Sequence, residues 1–128
     1  MKPWLLDSDV YPVNMYLFPP CSREVARKYI EDNYNVAANG YCRYNGCCFS
    51  LTNLKTNQKV FFLWVDRFKL HDSVSVSNLI HEISHLVHSV FQYLNVPGFI
   101  EENNEPFAYF LGSLVEQCLR LLTKGKRG

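Results

Sequence analysis

His81, Glu82 and His85, in the run His81-Glu82-Ile83-Ser84-His85, have residue types and a spacing that specify a chemistry. On a helix, positions i and i+4 lie on one face, one turn apart. Two imidazoles placed so can direct nitrogen lone pairs at a single metal ion. Zinc suits imidazole nitrogen and accepts three protein ligands with a fourth position left for water. Glu82 follows its neighbour by about 100° around the helix axis. A carboxylate there reaches a metal-bound water without occupying the metal, which is the general-base place of the H-E-x-x-H arrangement. One zinc ion per chain is the cofactor this predicts.

With 4 His and 7 Glu in 128 residues, the string arises by chance in roughly 0.7% of chains of this composition, so its setting must carry part of the argument. That setting is a strongly periodic helix after a strong strand. His88 shares the face of His81 and His85 but lies about 10 Å along the axis from His81, too far for one ion to take both. It is read as a supporting or packing residue, and His71 as an exposed loop residue. Cysteines 21, 42, 47, 48 and 118 are an odd number. The C-x4-C-C spacing lacks the paired C-x2-C of a zinc ribbon, so they are read as small buried hydrophobes, not a disulfide framework.

The helix over these residues begins at Ser75 or Ser77 and runs to about Leu94, with Leu79, Ile80, Ile83, Leu86, Val87, Val90, Phe91 and Leu94 as its apolar stripe. Asn95 and Pro97-Gly98 stop it. Before it, residues 59–66 give the strongest strand signal, with an antiparallel neighbour at Cys47–Leu51. Tyr41–Tyr44 has shorter β character, bounded by the turn dipeptides Asn39-Gly40 and Asn45-Gly46. Ser22 caps a helix from Arg23 to Tyr34. Residues 1–20, broken by four prolines, are irregular or extended, apart from a strand at residues 13–18. Pro106 opens a last helix to about Thr123.

A metal site of this kind needs a third ligand, and Glu105 follows His85 by 20 residues within Asn104-Glu105-Pro106-Phe107-Ala108-Tyr109. Glu101 and Glu102 compete for the place from the preceding loop. With this segment the chain resembles the gluzincin metallopeptidases, the thermolysin-like group. It also resembles small metallopeptidase-like proteins of bacteriophage and prophage genomes, which pair H-E-x-x-H with a later D/N-E-P-x-A-Y. The resemblance covers about residues 60–122. It implies His81, His85 and Glu105 as zinc ligands and Glu82 as catalytic base. The family's Asp three residues after its ligand Glu is replaced here by Ala108 or Tyr109, and no His follows His88 to stabilise an oxyanion. Tyr109 is the candidate for that catalytic role, with orienting a ligand or packing as the alternatives. The family lays its peptide substrate along a strand edge, and residues Val60–Val65 match that strand. The implied fold is α+β and zincin-like: a small, twisted antiparallel sheet packed on about three helices.

The chain as a whole sets limits on these expectations. At 128 residues it makes one domain, 1–128. Hydrophobic residues at 48% and aromatic residues at 15% suffice for a core. A net charge of +1 gives no general attraction to nucleic acid or anionic membrane. The Lys124, Lys126, Arg127 tail reads as solvated. No window nears the ~18 apolar residues of a membrane span, and no signal-peptide core is present. The expected setting is the cytoplasm of a bacterial host cell, with a peptide or protein substrate as partner. Two rival functions are a zinc-binding module without hydrolysis and a metal-free protein-interaction module.

Overall fold

A computed structural model describes residues 1–96 and 104–124. The elements in chain order are β1 (Trp4–Leu6), β2 (Asn14–Leu17), α1 (Arg23–Tyr34), β3 (Gly46–Asn53), β4 (Gln58–Val65), α2 (Ser73–Leu94) and α3 (Glu105–Lys124). The class is α+β, and the described residues form three helices around one four-stranded sheet of order β1-β2-β4-β3. β1 with β2 and β3 with β4 pair antiparallel, whereas β2 and β4 run parallel. The sheet is therefore mixed and not wholly antiparallel as the sequence suggested. Parallel neighbours require a crossover, and the chain from Phe18 to Asn57 supplies one through α1.

This layering explains why β4 reads as an unbroken apolar run. Val60 to Val65 are all buried because both sheet faces are covered. Phe61, Leu63 and Val65 join Leu6, Met15 and Leu17 beneath α2 and α3. Val60, Phe62 and Trp64 join Phe18, Ala26 and Ile30 on the α1 side. On that side Phe62 lies against the rings of Tyr16, Tyr29, Tyr34, Phe18 and Phe49, a dense aromatic layer for one short helix to cover.

Two further departures have local causes. Tyr41–Tyr44 is irregular instead of extended, because Cys42 takes a left-handed φ of 56° and Arg27 binds the carbonyls of Tyr41 and Asn39. β1, unannounced by any alternation, is a three-residue edge strand. It is tied to α3 by Gln117, whose amide accepts from Asp7 N–H at 2.8 Å and donates to Asp7 C=O at 3.0 Å. Among the described residues no helix is long and apolar enough to cross a membrane. Pro97-Gly98 and the basic residues Lys126 and Arg127 lie outside the described residues.

Candidate metal centre on helix α2

Asp72, in extended conformation, caps α2: its carboxylate accepts from Val74 N–H at 3.1 Å and from the Ser75 hydroxyl at 3.2 Å. The helix thus starts at Ser73, ahead of both expected serines, since a carboxylate satisfying two donors outcompetes a single hydroxyl. Leu79, Ile83, Leu86, Val87, Val90 and Phe91 are buried toward the sheet and α3. With that face fixed in the core, helical geometry turns His81, His85 and His88 outward, and all three are exposed.

The two motif histidines converge. His81 Nε2 and His85 Nε2 are 3.1 Å apart, with ring planes at 81°. Two nitrogens bound to one zinc at ~2.0–2.1 Å stand about 3.4 Å apart at the tetrahedral angle, so the pair fits within a few tenths of an ångström. Without an ion, the same distance requires one ring to donate its Nε2–H to the bare Nε2 of the other. In either state the rings are tied to each other at these atoms. As a donor set, two imidazoles suit zinc.

Glu82 is half-buried, with its side chain lying beside Gly46 at the start of β3. A Cβ built on Gly46 would meet Glu82 Cγ at 3.1 Å, Trp64 C=O at 3.3 Å and Glu82 Oε2 at 3.6 Å. Glycine at this first residue of β3 leaves the space the Glu82 side chain occupies. Cys48, on the same face of β3, has its thiol pushed up to about 12, by burial first and then by the Glu82 carboxylate. The motif revealed Glu82 itself, but the neighbours Gly46 and Cys48 were missed. Asn45-Gly46 signalled only a turn, and nothing local tied it to a helix some thirty-five residues on.

Glu105 is the exposed first residue of α3. Among the described residues, no third His, Cys, Asp or Glu joins His81 and His85 in a group able to hold a metal. The expected trio is therefore brought together as a pair, with Glu105 apart from it. Glu101 and Glu102 lie outside the described residues. Tyr109, one turn after Glu105, has its side chain largely in solvent, 74% exposed. His71 is exposed on the rim of an open, mainly apolar recess of about 570 Å³ with Leu70, Val76 and Ile80. A polar recess of about 410 Å³ lies on the Gly46 side, lined by Asn45, Asp66, Arg67, Lys69, Asp72 and Asn78, the last one turn before Glu82.

The strand expected to take substrate is corrected. Val60–Val65 lies inside the sheet, hydrogen-bonded to β2 on one side and β3 on the other, and has no edge to offer. β3 is the edge strand on that side, and it carries Gly46 against Glu82. Comparison with family models, with curated proteins and with solved structures found no match to this chain.

Proposed function

We propose that the chain is a zinc-dependent peptidase. The observation that carries the reading is the 3.1 Å convergence of His81 Nε2 and His85 Nε2, with the Glu82 carboxylate on the next helical position. Zinc, when bound, supplies a Lewis acid that polarises a carbonyl and brings water within reach of a carboxylate base near neutral pH. His81 and His85 would hold it, each with Nε2 unprotonated and the ring proton on Nδ1. The third ligand is assigned to Glu105 on the family resemblance alone. Glu82 takes a proton from the attacking water and later gives it to the departing amine, one carboxylate serving as base and then as acid. β3 offers its unpaired edge to an extended peptide, which would gain backbone hydrogen bonds there beside Glu82.

The test separates binding from chemistry. Purified protein should contain one zinc per chain, and His81→Ala should lose it. Glu82→Gln should keep zinc and reduce peptide hydrolysis by at least ~100-fold, the usual weight of a general base. Glu105→Gln should lose zinc, and a variant that retains it removes Glu105 from the ligand set. Undiminished hydrolysis in Glu82→Gln rejects the mechanism. Zinc bound without hydrolysis in the wild type leaves a metal-binding module in its place.

A further inference from the structure

We propose that Cys42 and Cys47 are a redox modification site, a dithiol that closes to an intramolecular disulfide by exchange with a low-molecular-weight disulfide of the glutathione type. Their sulfurs already touch at 3.5 Å. Closing that gap to a bond of ~2.05 Å needs about 1.5 Å of movement, which side-chain rotation and a short loop can supply.

The fold sorts the five cysteines so that this pairing is favoured over others. Cys47 and Cys48 are consecutive on β3 and so point to opposite faces. Cys48 packs on the α2 and α3 side, as does Cys118. Cys42, Cys47 and Cys21 pack on the α1 side. The loop holding Cys42 is set by two arginines of α1. Arg27 donates to Tyr41 C=O at 2.8 Å and Asn39 C=O at 3.2 Å, and Arg23 donates to Tyr44 C=O at 3.4 Å. Cys42 itself has φ 56°, a left-handed conformation uncommon outside glycine and asparagine. The clamped loop and the unusual backbone hold one sulfur against the other before any bond forms.

Exposure assigns the order of events. Cys42 is 1% exposed, whereas Cys47 is partly accessible. Cys47 thiolate attacks the small disulfide, forming a mixed disulfide and releasing one small thiol. Cys42 then loses its proton and attacks the Cys47 sulfur, releasing the second. Two protein thiols are oxidised to one disulfide, and one small disulfide is reduced to two thiols. The bond would pin the loop leading into Gly46, which seats Glu82. The proposal does not depend on the peptidase reading.

The experiment treats reduced wild-type protein with excess oxidised glutathione, blocks remaining thiols in denaturant and maps peptides by mass spectrometry. Arg43 lies between the two cysteines, so trypsin leaves the disulfide joining two separate peptides. The expected result is a loss of two hydrogens from the intact mass, a Cys42–Cys47 link, and a Tm raised by about 5 °C or more that dithiothreitol reverses. Cys47→Ser should abolish all three, and Cys48→Ser and Cys21→Ser should retain them. A reaction that stops at a glutathione adduct, a link involving Cys21 or Cys48, or no reaction at all overturns the proposal. The mapping is read on the wild type, so a variant that folds poorly does not decide it.

Discussion

At the scale of single residues, the motif's meaning depends on where the Glu82 side chain lies, and Gly46 leaves it room beside β3. An alanine there would place its Cβ 3.1 Å from Glu82 Cγ and 3.3 Å from the Trp64 carbonyl. The backbone oxygen cannot move without disturbing the β3–β4 ladder, so the Glu82 side chain must give way. Gly46→Ala should lower hydrolysis about tenfold or more, on the general ground that small misplacement of a catalytic group is costly. Zinc content should stay at the wild-type level, since His81 and His85 are untouched. Unchanged activity would detach Glu82 from its seat on β3. The same contrast explains what was legible. His81, Glu82 and His85 belong to one helix, so spacing alone places them. Where Glu105 stands relative to the pair is set by the long-range packing of α3, and spacing in sequence carries no such information.

At the scale of elements, the long helices and the β3–β4 hairpin were readable because their apolar periods are local. α2 shows how boundaries escape such reading. Ser75 and Ser77 looked like caps, yet Asp72 gathers both Val74 N–H and the Ser75 hydroxyl, so Ser75 serves inside the first turn. Asp72→Ala should destabilise the protein by about 1–2 kcal/mol, measured by denaturant unfolding, with Asp72→Asn recovering part of the loss. A change below a few tenths would mean that water replaces the cap without penalty. Strand direction was unreadable for another reason: β2 and β4 carry no mark of being parallel neighbours. Their pairing follows from α1 crossing one face while α2 and α3 fill the other. β1 likewise depends on a partner far along the chain, the Gln117 amide, which no local pattern can announce.

At the scale of the whole molecule, the burial that builds two cores also fixes how stability responds to alkali. Burial alone pushes the Cys118 thiol up to about 12, and burial leads the shift of Cys48 to the same value. Burial likewise raises the phenols of Tyr29 and Tyr34. For each such acid, the unfolded chain ionises first. Below a thiol's ordinary value, 9.0, both states keep the proton and stability is intact. Between there and about 12 the unfolded state has released its proton and the folded state has not, so stability falls as pH rises. One thiol contributes a slope of up to about 1.4 kcal/mol per pH unit in that window. Cys118 isolates the effect, since its shift has no charged neighbour behind it. Cys118→Ala, unfolded by denaturant in reducing buffer at half-unit steps from pH 8 to 11, should lose stability at neutral pH through the cavity it leaves. Its decline with pH should nonetheless be shallower than the wild type's by roughly one thiol's slope. Parallel curves would mean that water reaches Cys118 in the folded protein and that the core beneath α3 is open.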